Sequence, residues 1–414
     1  MKKARAFLCG VLAALMLAGC GGSEIEKYAV AEAGAPTRVK KTEDRVDTEA
    51  LRQFSDETAA AVFTGEGNAV YSPLSLYAAL GMLTELTDGE TRQQVTELLG
   101  VSDSEPLRQW TQQLWRQLYR DEKGSALWLG NAAFLNEDVT FRKEPLDILA
   151  EDYYASSYQV PMGSKAADQA IAAWLNQQTN GLLSDDIGAI ETKKRDLLRL
   201  YNTLYYKAAW QEEFFEGATQ QDIFTAADGT EQTCDFMHIS IEGLPVARGE
   251  GYRCASLYLK DGGAMTFYLP DEGVTVEELL QRMNLLSDPL TVDQYEARVN
   301  WSVPKFDLHA SMKLNDVLEA LGVTDAFDVS KADFSPLTEQ ELVYVESVNQ
   351  AARVKIDEQG VEAAAYTEVE IADGDPMPRE LPEEEMDLDR PFVFVLEQDG
   401  VPLFVGVIQT MEEM

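Results

Sequence analysis

Histidine and cysteine are scarce in this chain, and their scarcity removes whole classes of chemistry. Of 414 residues, two are histidine and four are cysteine. His238 and His309 stand far apart, and neither falls in a His-x-x-x-His or Cys-x-x-Cys setting, so no metal-ligand spacing is present. With so few imidazoles, a Ser-His-Asp hydrolase has almost no candidate base. Both histidines read as structural. Basic residues are also few, 34 Lys and Arg against 72 Asp and Glu, for a formal net charge of −38. Nucleic acid is excluded as a partner, because phosphate binding needs Lys and Arg clusters. Attraction to an anionic lipid surface is excluded by the same sign, and the acidity reads as a solubility feature. No ligand motif and no internal repeat is visible, so no cofactor is expected.

Long apolar runs are absent except at the start. Lys2, Lys3 and Arg5 precede an apolar run from Ala6 to Ala18. That is a secretory signal, too short to span a bilayer stably. It ends in Leu17-Ala18-Gly19-Cys20, which resembles a bacterial lipobox. The resemblance implies cleavage before Cys20 and a diacylglyceryl group on its sulfur, held in the bilayer by roughly 0.8 kcal/mol per CH₂. An ordinary signal peptide with an incidental cysteine is the alternative. Residues 1–19 then form the signal, 20–46 a Gly-, Ser-, Ala- and charge-rich flexible tether, and 47–414 one folded domain. Cys234 and Cys254 remain, and either a disulfide or two lone thiols fits an exported protein.

Within the domain, helices crowd the first half and strands the second. Leu51, Phe54, Thr58 and Val62 share one helical face. Ser72 followed by Pro73 is a helix start, and Leu76, Leu80 and Leu83 continue it. Thr91 to Leu99 is a short helix closed by Gly100. Leu107, Trp110, Leu114 and Leu118 form a further stripe, and Ile171, Trp174 and Leu175 sit on a helix that Gly181 ends. Strands are expected at 126–135, 197–206, 223–224, 255–258, 265–269, 298–308, 342–356, 392–396 and 403–408, with a helix at about 312–321. Asp261-Gly262-Gly263 is a hairpin turn. The pattern alone gives an α+β domain with more than one sheet. The acidic run from Glu380 to Asp389 reads as a solvated loop or as an electrostatic lure for cationic partners.

The most informative stretch is Glu358 to Ile371. Read with period two, Val361, Ala363, Ala365, Thr367, Val369 and Ile371 form a face that can be buried. Glu362, Ala364, Tyr366, Glu368 and Glu370 form a face that can stay wet. That is a strand pattern, yet it opens at Gly360 and runs into Asp373-Gly374-Asp375-Pro376-Met377-Pro378, a loop composition. The segment is suited both to an exposed loop and to an inserted strand.

These residues resemble the hinge of a serpin reactive-centre loop, and other stretches resemble serpin motifs in the family's order. They include Asn68-Ala-Val-Tyr-Ser72-Pro73-Leu-Ser75 and Asn202-Thr-Leu-Tyr-Tyr-Lys-Ala-Ala-Trp210. Phe267-Tyr-Leu-Pro270, Val303-Pro304-Lys305-Phe306, Ala332-Asp333-Phe334-Ser335, Arg390-Pro391-Phe392 and Pro402-Leu403-Phe404-Val405-Gly406 follow. The match covers roughly Thr48 to Thr410. Ala208, Gln350, Tyr366 and Gln409 depart from it, standing where the family usually has glycine, often histidine, a small residue and proline. The stretch from Gly360 to Pro391 is also longer than in typical animal inhibitors.

The resemblance implies a serpin fold of three β-sheets and eight or nine helices, with an exposed reactive-centre loop at about 357–388. It implies not an enzyme but a serine protease inhibitor that is cut in this loop and inserts the freed hinge into its main sheet. Family spacing from Gly360 places the reactive bond at Gly374–Asp375, with Asp373–Gly374, Ala372 and Met377 as alternatives. Glu358, Gly360, Val361, Glu362, Ala363, Ala364, Ala365 and Thr367 take the hinge role. Ser72, Ser75, Asn202, Trp210 and Gln350 take shutter and breach roles beneath it. At about 1 kcal/mol per new hydrogen bond, insertion of Val361 to Ile371 supplies on the order of 10 kcal/mol. The implied partners are serine proteases, elastase-like or subtilisin-like ones among them, and cysteine proteases. A monomer is expected, exported and lipid-anchored to the bacterial cell membrane on its outer side. A serpin fold used without inhibition, as a binding or structural surface protein, is the alternative.

Overall fold

Ser72 starts the helix around which the rest is built. In the computed structural model its hydroxyl accepts a hydrogen bond from Ser75 N at 3.2 Å, and Pro73 occupies the first turn of the helix Pro73–Leu86. Nearly every residue of that helix is buried, because it lies in the core between two sheets. The structure describes residues 25–34, 46–65, 67–183, 190–282, 286–287, 293–362 and 381–412. Seven further α-helices are present among them: Glu49–Val62, Gly89–Leu98, Ser104–Leu118, Lys143–Asp152, Lys165–Gln178, Val276–Arg282 and Asn315–Ala320.

The first sheet runs, in spatial order, Ala29–Ala31, Ala155–Val160, Ser125–Asn136, Leu198–Ala209, Gly360–Val361, Asn349–Ile356 and Phe306–Lys313. Its outer face is covered by the helix Lys165–Gln178, which packs Ile171 and Trp174 against Ala132, Phe134 and Val160. The second hydrogen-bonded array runs Glu383–Asp387, Asp293–Pro304, Glu231–Gly249, Tyr252–Tyr258, Gly263–Pro270, Phe392–Gln398, Val401–Ile408 and Ala69–Tyr71. Its register slips between Ala297 and Val299, and Gly243 opposite them takes φ 74°. A bulge of this kind bends a sheet. The array therefore divides into a buried leaf around Phe392–Ile408 and a smaller leaf around Gln220–Thr225 and Glu383–Asp387, giving three sheets in all.

Several sequence expectations differ from the structure. The run 298–308 is not one strand. Asp293–Pro304 and Phe306–Lys313 belong to different sheets, separated at Lys305. The strand expected over 342–356 begins only at Asn349, and the helix expected at 312–321 covers Asn315–Ala320. The acidic run is not a free loop, because Glu383–Asp387 is a strand parallel to Arg298–Ser302. Met386 and Leu388 anchor it in the core. The tether expected over 20–46 is docked where it is described: Ala29–Ala31 pairs with the sheet edge and Ile25 is buried beside Trp174 and Met162. An apolar residue amid polar ones is enough to seat that short stretch. Cys234 and Cys254 are free thiols, and burial pushes each up to about 11.

Candidate insertion site

The first sheet is interrupted at its centre. Leu198–Ala209 is bonded to Ser125–Asn136 from Ser125↔Ala208 to Leu135↔Leu198. On the other side, Asn349–Ile356 is bonded to Phe306–Lys313 along its whole length. Among the described residues, only Gly360–Val361 stands between these two ribbons, paired through Gly360↔Ala209, Val361↔Ala208 and Ile356↔Val361. Beyond that pair, the edges of the two ribbons face each other across a narrow cleft. Leu204, Tyr206, Val354, Val361, Leu396 and Phe404 line its apolar part.

The top of the cleft holds the hinge by its backbone and by Glu358. Trp210 N donates to the Gln359 carbonyl at 2.9 Å, and Phe214 N to the Glu358 carbonyl at 3.1 Å. The indole Nε1 of Trp210 donates to the Asp357 carbonyl at 2.8 Å. Glu358 accepts from Thr219 Oγ1 at 2.7 Å and pairs with Lys305 Nζ at 2.9 Å. Burial pushes the Glu358 carboxyl up, but Lys305 and Thr219 together hold it below the usual carboxylate range. Glycine is required at 360 by space: a Cβ there would lie 2.2 Å from the Ala208 carbonyl oxygen.

Lower down, the cleft becomes polar. Gln350 accepts from Ser72 N at 2.8 Å and donates to the Ser72 carbonyl at 2.9 Å. An amide that donates and accepts thus ties the strand Asn349–Ile356 to the start of the buried helix. Asn202 donates to Asn131 Oδ1 on the neighbouring strand, and its own Oδ1 is buried without a hydrogen-bond partner. Ser72, Ser75, Asn202 and Gln350 all line this part of the cleft. The structure therefore brings together Ser72, Ser75, Asn202, Gln350, Trp210, Glu358, Gly360, Val361 and Glu362. Ala363, Ala364, Ala365, Thr367, Ala372, Asp373, Gly374, Asp375, Met377 and Cys20 lie outside the described residues.

Glu362 differs from its sequence reading. It lies on the face opposite Val361, as alternation demands, but that face is not wet here. The turn after the helix Lys165–Gln178 covers it, and Glu362 Oε1 accepts from Tyr205 OH at 2.8 Å while Asn180 Nδ2 donates to the same hydroxyl at 3.2 Å. Its Oε2 is buried with no hydrogen-bond partner. Burial raises its carboxyl above the usual range, against the opposing pull of Tyr205, Lys207, Arg353 and Lys355. Thr219, Lys305 and Tyr205 were not singled out as site residues from sequence. The basic position in Val303-Pro304-Lys305-Phe306, and Phe214 and Thr219 following the Asn202–Trp210 motif, were the signals available for the first pair.

Among the described residues, the sheet is open at its centre and seeded at one end by a glycine-led hinge. A family model described as Serpin (serine protease inhibitor) matches residues 49–410. The chain is a serpin. It is 29% identical over 359 residues to Serpin-Z1C of Triticum aestivum, covering 82% of this chain and 89% of that protein. It is 27% identical over 359 residues to plasminogen activator inhibitor 1 of Neovison vison, covering 83% and 87%. Among solved structures, the thermophilic serpin tengpin in its native state superposes with TM-score 0.77 at 27% identity, covering 92% of this chain and 97% of that one. Tengpin in its latent state gives 0.73. The serpin fold has three sheets here, and the family is in general one of protease inhibitors.

Proposed function

We propose that this serpin inhibits serine proteases as a suicide substrate. The observation that carries the reading is the cleft between Leu198–Ala209 and Asn349–Ile356, filled among the described residues only by Gly360–Val361. Both edges offer backbone groups to one further antiparallel strand. Continuing the register downward sets Ala363 opposite Tyr206 and Val354, Ala365 opposite Leu204 and Ala352, and Thr367 opposite Asn202 and Gln350. The small face of the hinge thus meets the core side of the cleft, and a hydroxyl meets the polar part that holds the unpartnered Asn202 Oδ1. The protease attacks the loop, with Gly374–Asp375 the bond favoured by spacing. An acyl-enzyme forms, and the freed hinge inserts before deacylation, carrying the protease away from its working geometry. The state with the loop outside is metastable and persists by a kinetic barrier.

The panel that tests this is elastase, chymotrypsin, trypsin and subtilisin. At least one is expected to give an SDS-resistant complex, and the mass of the released C-terminal peptide identifies the bond. A panel that yields only cut chain and active protease overturns the inhibitory reading. The same proposal holds the protein outside the cell on a lipid at Cys20, supported by Leu17-Ala18-Gly19-Cys20. Cys20→Ser is expected to release the chain from membranes or block its processing. Unchanged processing and fractionation would remove the anchor from the account.

A further inference from the structure

The position of Glu362 is a waiting position. Its backbone has already reached the register opposite Lys355, with Glu362 N donating to the Lys355 carbonyl at 2.9 Å. Yet its φ of 43° lies in the left-handed region, unfavourable for a glutamate, and turns the chain out of the strand. Its side chain reaches across to Tyr205, on the other edge of the cleft. One residue thus touches both ribbons at the mouth, with half of its carboxylate shielded and unpartnered.

The register states where that carboxylate goes next. Val361 lies between Ala208 and Ile356. Glu362 in an extended strand therefore lies directly between Lys207 and Lys355, on the face where all three side chains project. Cross-strand pairs of opposite charge stabilise a sheet, and here two lysines flank one acid. The geometry points to Tyr205 as a positioning residue that holds the hinge at the mouth, and to Lys207 and Lys355 as the pair that receives Glu362 when insertion begins. This deepens the insertion reading and rests on it.

The exchange has a pH signature. In the waiting position the titratable and charged groups facing Glu362 are Tyr205 and Lys207 from one edge and Arg353 and Lys355 from the other, with Asn180 above, and burial outweighs them to raise the carboxyl. Between two lysines the same carboxyl is stabilised as an anion. The inserted form therefore binds fewer protons than the waiting form. Insertion is favoured where Glu362 is ionised, and that contribution is lost as pH falls through the raised value.

The test uses the full chain, cut in its loop by a metalloprotease, which forms no acyl-enzyme. Unfolding midpoints in guanidinium are compared for cut and uncut protein from about pH 4.5 to 8, the range that brackets a raised carboxyl. The gain in midpoint on cutting is expected to shrink towards acid in the wild type, and to be smaller and flat in Glu362→Gln. Lys207→Met with Lys355→Met should flatten it as well. Tyr205→Phe should leave the cut form unchanged but speed spontaneous conversion of the uncut chain about tenfold, the size of one lost hydrogen bond to a charged group. Near-ultraviolet circular dichroism identifies any variant that fails to fold. A pH profile shared by wild type and Glu362→Gln overturns the exchange, and an unchanged conversion rate in Tyr205→Phe overturns the positioning role. If no chain gains stability on cutting, the insertion reading itself has failed. If the gain appears but no protease is captured, the inference stands and only the inhibitory reading falls.

Discussion

The two large β-arrays of this molecule were built to different degrees of completion. In the second, Gly263–Pro270, Phe392–Gln398, Val401–Ile408 and Ala69–Tyr71 are paired strand to strand, and nearly every residue of the closing pair Phe392–Gln398 and Val401–Ile408 is buried. In the first, two well-paired ribbons face each other with two residues of hinge between them among the described residues. The finished array has nothing left to gain. The unfinished one has two rows of backbone groups, an apolar cleft and an orphaned Asn202 oxygen, all met by one more strand. In the proposed mechanism, stability left unrealised in one sheet is what the chain releases when its loop is cut, and the completed sheet gives it a rigid body to release it against.

Changes that keep the first sheet unfinished should have the largest effect. Ala363→Arg and Ala365→Arg place a cation against Tyr206 and Val354 or Leu204 and Ala352, at a cost of several kcal/mol. Each is expected to turn inhibitor into substrate, read as a rise in inhibition stoichiometry of ten-fold or more. Ala364→Arg points to the outer face opposite Tyr205 and Arg353, and the covering turn makes its effect intermediate rather than nil. Gly360→Ala comes next. Its methyl meets the Ala208 carbonyl, so the hinge must leave the mouth, and we expect slower insertion and a higher stoichiometry.

Smaller effects should follow from loosening the polar ties. Gln350→Ala leaves Ser72 N without its partner inside the cleft, while the Ser72 carbonyl keeps the bond from Leu76 N, costing about 1–3 kcal/mol of native stability. Thermal unfolding of the uncut chain measures it. Glu358→Gln weakens the ties to Lys305 and Thr219, and Lys305 is partly exposed, so the loss should be about 1 kcal/mol or less. Because the Glu358 carboxyl sits below its ordinary range, the stability it adds is present near neutral pH and lost as pH falls through its folded value. Urea titrations of wild type and Glu358→Gln should therefore converge in acid. Equal separation at all pH values would deny the pairing its role.

Much of this was legible in the chain. Period two at Val361, Ala363 and Ala365, the Ser72-Pro73 start and the ordered motifs led to the fold and to the cleft residues. What escaped did so for physical reasons. Alternation continues through Pro304-Lys305-Phe306, so one strand was read where the chain changes sheets. Glu383 to Asp387 has the composition of a loop, and pairing with Arg298, Asn300 and Arg248 makes it a strand. Met386 and Leu388 alternating with acids was the available signal. The same pairing engages the carboxylates of Glu383, Glu384 and Glu385 internally, which removes much of the support for an electrostatic lure. The burial of Glu362 could not be read from sequence, because it depends on a distant turn passing over the sheet.

Amide hydrogen exchange of the uncut and loop-cut chain tests the central claim most directly. The account predicts that cutting protects the cleft-facing amides of Leu198–Tyr206 and Asn349–Lys355 by orders of magnitude, while Phe392–Gln398 and Val401–Ile408, already protected, change little. Unchanged exchange along both cleft edges after cutting would contradict it, because the sheet would then have gained no strand.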